Sequence, residues 1–83
     1  MGDTAPVAVV TGASRGAGRG IATALAERGW QVYGTGRTVG DDQGWGTGVQ
    51  LDHRDDDAVG RLFDRVTAER GRLDLLVNNA AAI

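Results

Sequence analysis

The 83-residue chain contains no cysteine and no lysine, and it has one proline and one histidine. Without cysteine, neither a disulfide framework nor a thiolate metal site is possible, and His53 has no second ligand residue at metal-binding spacing. All basic residues are arginines, they are scattered along the chain, and the net charge is −2. We therefore expect no metal site and no nucleic-acid partner.

Long hydrophobic runs are also missing. The apolar stretch at residues 5–10 is too short to span a membrane and has no basic leader before it. A chain of this length forms one small domain that buries only about 60–65% of its extended surface, so its stability is expected to be marginal. These features favour a cytoplasmic protein without a membrane partner.

Glycine is abundant, with 14 residues, and its most informative cluster lies near the amino terminus. The apolar run Val7–Thr11 predicts a strand covered on both faces. Gly12 then permits a tight turn, while Gly16 and Gly18 leave room for a pyrophosphate near the backbone and for close packing of the following helix. The phosphates would lie at the helix N-terminus, where free N–H groups and the helix dipole favour anions.

The spacing of this loop separates it from other phosphate-binding loops. A nucleoside triphosphatase loop needs Lys-Ser or Lys-Thr after its last glycine, and Arg19-Gly20 stand there instead. The order from Thr11 to Gly18 is Thr-Gly-x-x-x-Gly-x-Gly, which resembles the short-chain dehydrogenase/reductase family. A second motif, Asn78-Asn79-Ala80-Ala81, is similar to the family's Asn-Asn-Ala-Gly, with Ala81 as the departure. The resemblance covers essentially the whole chain but only the family's N-terminal half.

Apolar patterns and turn signals predict four strands and two helices in alternation, as in a parallel sheet with crossover helices. The predicted strands are Val7–Thr11, Gln31–Thr35, Val49–Leu51 and Leu73–Asn78. The first helix is expected from about Ala17 to Arg28, with Ile21, Ala24 and Leu25 buried and Gly29 as its stop. The second is expected from Asp56 to Arg70, capped by Asp55 and ended by Gly71, with Val59, Leu62, Phe63 and Val66 on one face.

Right-handed crossovers then give an α/β fold, a Rossmann-type parallel sheet of strand order 3-2-1-4, half of a doubly wound fold. Residues 1–83 are interpreted as a single dinucleotide-binding segment that is truncated after the fourth strand. Residues 38–47 have a turn-rich composition, whereas the resemblance implies a helix there. Trp45 either packs over the sheet left uncovered or lies on the surface of a flexible loop.

The residues at the end of the second strand predict which nicotinamide cofactor is preferred. Enzymes that take NAD usually have an acidic residue there for the ribose 2′-hydroxyl, but here Gly36 is followed by Arg37. The resemblance adds Arg15 as a second residue that meets a 2′-phosphate. We expect NADP(H) to be preferred to NAD(H), the alternative being that both arginines are solvated surface charges.

The resemblance implies the remaining cofactor contacts one residue at a time. Asp52 would bond the adenine amino group, assisted by the backbone of His53, or would have only a capping or surface role. The resemblance implies that Asn78, Asn79 and Ala80 lie where the family's fourth strand runs beneath the adenosine ribose, and Asn79 would either contact the cofactor or brace the sheet. The full predicted set is Gly12, Ser14, Arg15, Gly16, Ala17, Gly18, Arg37, Asp52, His53, Asn79 and Ala80.

Catalysis in the family uses a Ser, a Tyr-x-x-x-Lys motif and an Asn, all beyond the fourth strand. Here the one tyrosine is Tyr33, in a predicted strand, the one serine is Ser14, in the loop, and lysine is absent. No catalytic residue is assigned, and the chain alone is expected to be inactive.

Three functions remain open. The chain is part of an NADP(H)-dependent reductase acting on small carbonyls and alcohols, or a non-catalytic dinucleotide-binding module or inactive product, or a methyltransferase-like nucleotide binder. Self-association through the edge of the fourth strand is also expected, because an unpaired apolar strand is a template for association.

Overall fold

Within residues 5–13, 16–36, 42–52 and 54–78, which the computed structural model describes, the chain forms one five-stranded sheet and two helices. The strands are β1 (Val7–Thr11), β2 (Gln31–Gly36), β3 (Asp42–Gln43), β4 (Gly46–Gln50) and β5 (Leu75–Val77). The helices are α1 (Gly16–Glu27) and α2 (Asp56–Arg70).

The sheet has the order β3-β4-β2-β1-β5. Its parallel part, β4-β2-β1-β5, confirms the predicted order 3-2-1-4. The additional strand, β3, pairs antiparallel with β4 in a short hairpin that the sequence analysis did not predict. Because of this hairpin, the third parallel strand begins at Gly46 rather than at Val49.

The helix boundaries follow local signals. Asp55 caps α2, its side chain accepting a 3.1 Å hydrogen bond from the Ala58 N–H. Gly71 ends α2 in the left-handed conformation (φ 72°), and its N–H bonds the carbonyl of Thr67 at 2.8 Å. Gly29 takes the same role after α1, with φ 88°.

The two helices cover opposite faces of the sheet. Val7 and Val9 pack with Leu62 and Val66 of α2. Val10, an odd number of positions from both, lies on the opposite face and packs with Ala22 of α1. As predicted, Val59 and Phe63 of α2 also pack against the core on this helix's side of the sheet. In the described part of the chain, neither helix has the length and apolar character needed to cross a membrane.

One prediction about α1 is wrong. Ala24 is exposed, and the residues of α1 that are fully buried are Gly18 and Ala22. Ile21 and Leu25 are half-buried against the same core. The contact stripe therefore runs through positions 18, 22 and 25, and Ala24 falls outside it.

Trp45, at the turn between β3 and β4, packs over the sheet. Its side chain is only 6% exposed and lies in the core cluster with Val10, Ala13 and Val32, on the α1 face. The expectation that Trp45 covers this face is confirmed, and the surface alternative is wrong. The hairpin and its indole thus cover the sheet where the family resemblance implied a helix and the turn-rich sequence predicted none.

Candidate cofactor-binding site

The carboxyl ends of four parallel strands meet at one edge of the sheet. Two loop hydrogen bonds hold this edge together, from the Ala13 N–H to the Thr35 carbonyl (2.8 Å) and from the Leu51 N–H to the Gly36 carbonyl (3.2 Å). The chain leaves β1 through α1 on one face and reaches β5 through α2 on the other. The boundary between β1 and β5 is therefore a topological switch point, the place where open α/β sheets bind ligands.

The loop after β1 has the backbone that glycine makes possible. Gly12 and Gly16 have φ values of 67° and 66°, in the left-handed region that other residues rarely adopt. A methyl group at Gly16 would meet no atom of the described residues within 4 Å, apart from its own chain neighbours. Within the described part of the chain, the first residue of α1 therefore borders open space.

The two helix N-termini differ in charge. The first turn of α1 has no acidic residue, so its N–H groups and the positive end of its dipole have no local carboxylate. The α2 N-terminus carries the cap residue Asp55 and, in its first turn, Asp56 and Asp57. An anionic ligand would be repelled at α2 and favoured at α1.

Side chains also meet at the switch point. Thr11 Oγ1 lies 3.3 Å from both the Val77 carbonyl oxygen and Asn78 Oδ1, so its single proton can be donated to either acceptor. A shallow, mostly apolar cavity of about 140 Å³ opens beside this contact on the α2 face. It is lined by Val9, Thr11, Val59, Leu62, Phe63, Leu76 and Asn78.

Asp52 lies beyond β4 and holds the turn that leads into α2. Its Oδ1 accepts the Arg54 backbone N–H at 2.9 Å, and its Oδ2 receives the Arg54 guanidinium at 2.7 Å. The hydrogen bond and charge of Asp52 raise the pKa of Arg54 above its usual value. Arg54 Nε also lies 3.1 Å from Oδ1 and 3.2 Å from Oδ2, so Arg54 makes four contacts with the two Asp52 oxygens. Because a carboxylate has about four acceptor positions, an adenine amino group would have to replace one of these contacts.

Tyr33 lies away from this edge, inside β2 and against α2. Its hydroxyl donates to Glu69 Oε1 at 2.5 Å and accepts from Arg70 Nε at 3.2 Å, and the Arg65 and Arg70 guanidinium carbons lie 5.9 Å from the ring centre. Burial, and secondarily the bond to Glu69, raises the pKa of Tyr33 above 10.0. These contacts are those of a residue that anchors the C-terminal half of α2.

The structure describes part of the predicted binding set. Gly12, Gly16, Ala17 and Gly18 lie at the loop and the start of α1, where Ala17 is exposed and Gly18 buried, and Asp52 lies at the same sheet edge. The other predicted residues, Ser14, Arg15, Arg37, His53, Asn79 and Ala80, lie outside the described residues. Among the described residues, no three His, Asp or Glu side chains form a group that could hold a metal ion.

Sequence reasoning did not assign two features of this edge. Thr11 joins β1 to the end of β5, and Ala13 is completely buried beneath the α1 face. The sequence shows a threonine before Gly12 and an alanine after it, but not which residues they contact. Those partners are distant in sequence, and local patterns do not specify such contacts.

Comparison with known proteins agrees with this geometry. Residues 6–83 match the family model described as short chain dehydrogenase. The chain is 42% identical over 81 residues to 3-oxoacyl-[acyl-carrier-protein] reductase FabG of Escherichia coli K12, an alignment that covers 89% of this chain and 33% of FabG. The chain thus spans about a third of the length of that relative.

Solved structures show the same likeness. Ligand-free aldohexose dehydrogenase of Thermoplasma acidophilum superposes with a TM-score of 0.86 at 31% identity, covering 93% of this chain and 30% of the dehydrogenase. A metagenomic short-chain oxidoreductase in complex with NADP superposes with a TM-score of 0.80 at 35% identity, covering 93% of this chain and 39% of the other.

Proposed function

Because this chain belongs to the short-chain dehydrogenase family, we propose that it is the cofactor-binding segment of an oxidoreductase that interconverts small carbonyl and alcohol compounds, with NADP(H) preferred to NAD(H). When bound, the nicotinamide supplies or accepts the hydride. The residues of this chain bind and orient the dinucleotide, and none of them is proposed to be catalytic.

The observation that carries this proposal is the left-handed glycine turn that enters α1 at the switch point. Gly12 and Gly16 keep side chains away from the N-terminus of α1, and the first turn of that helix lacks a carboxylate. A diphosphate placed there would accept hydrogen bonds from backbone N–H groups and would complement the helix dipole. Together with Ser14, Arg15, Ala17 and Gly18, the two glycines form the proposed phosphate-binding loop.

The preference for NADP(H) rests on the end of β2. Gly36, the last residue of β2, is buried and offers no acidic side chain to bond a ribose 2′-hydroxyl or to repel a 2′-phosphate. Arg37 follows it in the sequence, and Arg15 belongs to the loop after β1. A charge-assisted hydrogen bond contributes about 1.5–3 kcal/mol, enough for a preference of ten-fold or more.

The adenosine end is proposed to contact residues that follow β4 and β5. Asp52 would accept the adenine amino group in place of one of its contacts with Arg54, with the His53 backbone assisting. Asn79 and Ala80 directly follow Asn78, which contacts Thr11 at the end of β1. This arrangement lets one extended nucleotide run along the carboxyl ends of the strands.

Replacing Arg37 with alanine tests the cofactor preference. Loss of one charge-assisted contact should weaken NADPH binding by about ten-fold or more, with much less effect on NADH, as measured by calorimetry. Arg28→Ala is the matched control, because Arg28 is an exposed arginine just beyond the C-terminal end of α1. Equal losses for NADPH and NADH would show that Arg37 does not contact the 2′-phosphate.

The alternatives are less well supported. Neither a methyltransferase-like binder nor a separate non-catalytic module is favoured by the match of residues 6–83 to a dehydrogenase family. A titration with S-adenosylmethionine beside NADPH distinguishes the first of these. Binding of S-adenosylmethionine without binding of NADPH would contradict the proposed function.

A further inference from the structure

We propose that Trp45 is a positioning residue for the loop after β1, so that the β3–β4 hairpin holds the phosphate-binding loop in its binding conformation. This inference rests on the proposed function, since it concerns the same loop. It adds a residue from a separate part of the chain that neither the glycine motif nor the binding set includes.

Trp45 and Ala13 share one space above Gly34. A methyl group at Gly34 would overlap Trp45 Cη2 and would lie 2.6 Å from Trp45 Cζ3 and 2.7 Å from Ala13 Cβ. The absent side chain of Gly34 therefore leaves the space that the indole and the Ala13 methyl occupy together. Both residues belong to the same core cluster, and Ala13 is completely buried there.

Ala13 is the described point at which the loop is fixed. Its N–H bonds the Thr35 carbonyl at 2.8 Å, and its side chain packs in the cluster that contains Trp45. Gly12 precedes it and Gly16 follows, and glycines have the widest backbone freedom of any residue. Fixing Ala13 from two directions restricts the loop before a ligand arrives, which lowers the entropy cost of binding.

The hairpin in turn fixes the position of the Trp45 backbone. Gly46, the next residue, has φ 150°, and a methyl group there would overlap the carbonyl oxygen of Val32. β4 continues in parallel register with β2, pairing Gly34 with Gly48. The close approach of the Gly46 backbone to β2 thus holds the indole against this strand. Because the indole packs on Ala13, the packing of Trp45 and the conformation of the loop after β1 are linked. Such linkage is reciprocal, so a ligand on the loop also changes the surroundings of Trp45.

The test uses adenosine 2′,5′-bisphosphate, which carries the adenosine phosphates but no nicotinamide. Calorimetry compares the wild-type chain with Trp45→Ala and Trp45→Phe. If loss of the indole leaves the loop in its binding conformation about a tenth of the time, the Kd of Trp45→Ala rises about ten-fold. Trp45→Phe retains an aromatic ring, so its Kd should stay within about two-fold of the wild-type value. An unchanged Kd in Trp45→Ala would overturn the proposal.

A control separates positioning from general stability. Val66→Ala also truncates a buried side chain, but in the core on the α2 face, away from Ala13 and from the cavity at the switch point. At a temperature where circular dichroism shows each variant folded, Val66→Ala should keep wild-type affinity. An equal loss of affinity in Val66→Ala would refute a specific role for Trp45.

Fluorescence provides a readout that remains if Trp45→Ala does not fold. The chain has two tryptophans, so Trp30→Phe leaves Trp45 as the sole indole and Trp45→Phe leaves Trp30. Saturation with adenosine 2′,5′-bisphosphate should shift the emission of Trp45 and leave that of Trp30 nearly unchanged. No shift of Trp45 emission in a sample that calorimetry shows to be saturated would overturn the inference, whereas absence of binding to the wild-type chain would contradict the proposed function itself.

Discussion

Gly34→Ala is the substitution whose effect on stability follows most directly from the packing of β2. The added methyl would overlap the Trp45 ring and press on Ala13 Cβ, because these two side chains already fill the space above Gly34. Overpacking of this kind costs about 1–3 kcal/mol. The backbone gain from replacing a strand glycine with alanine is only about 0.5–1 kcal/mol, so the free energy of unfolding should fall.

Gly60→Ala is the matched control for this substitution. Gly60 is exposed in the middle of α2, and a methyl group there would meet nothing within 4 Å. Only the helix-propensity gain remains, so this variant should be more stable by about 0.5–1 kcal/mol. Urea unfolding followed by circular dichroism measures both, and in a domain of this size each kcal/mol corresponds to about 4–8 °C in Tm.

A double-mutant cycle identifies the cause of the loss. In a Trp45→Leu background the added methyl at position 34 has more room, so Gly34→Ala should cost much less than in the wild-type chain. Contacting residues typically show coupling energies of about 0.5–3 kcal/mol. The same cost in both backgrounds, or a gain in stability like that of Gly60→Ala, would refute the packing of Trp45 on Gly34.

Three further predictions concern acid stability, activity and association. The Arg72 guanidinium first, and the Val7 N–H second, hold the pKa of Asp74 below its usual 3.8. Asp74 therefore stabilises the fold above that pH, and this stabilisation is lost as the pH falls through the lowered pKa. In Asp74→Asn the free energy of unfolding, measured in urea, should fall less steeply with decreasing pH at the acid end, and an unchanged pH dependence would contradict this. The 83-residue chain should not reduce carbonyl compounds at an enzymatic rate, and NADPH oxidation by purified protein that Gly16→Val abolishes would contradict this. The exposed leucines of residues 73–76 should drive self-association; Leu76→Lys should lower the sedimentation-average mass, and a wild-type monomer with protected amides in 73–78 would argue against it.

Most of the fold was predictable because its signals are local. Asp55 and Gly71 mark the ends of α2, and the apolar run of β1 is long enough to be read as a buried strand. The strand order then follows from the handedness of crossovers rather than from any single residue. The same reasoning placed Gly12 in a tight turn, and its φ of 67° lies in the left-handed region that glycine adopts easily. The equally left-handed backbone of Gly16 was not predicted.

The unpredicted features depend on close approach between distant segments. β3 has two residues, Asp42–Gln43, too few to display an alternating pattern. Gly46 and Gly34 resemble ordinary loop and strand glycines in the sequence, and their roles appear only when the hairpin lies against β2. Similarly, the contact of Thr11 with Asn78 requires the register of β1 against β5, which spans most of the chain.

Charge at the helix N-termini connects the fold to the proposed function. Both helices begin after a parallel strand, and at both N-termini the first N–H groups have no partner within the helix itself. At α2 the chain supplies its own partners, because the Asp55 side chain accepts the Ala58 N–H and two more aspartates in the first turn offset the positive end of the helix dipole. At α1 the first turn contains glycine, alanine and arginine, with no carboxylate, and it begins at a left-handed glycine bordered by open space. A helix that neutralises its own N-terminus needs no ligand there, whereas the N-terminus of α1 would be complemented by an external anion. This difference favours α1 over α2 for the diphosphate of the proposed cofactor.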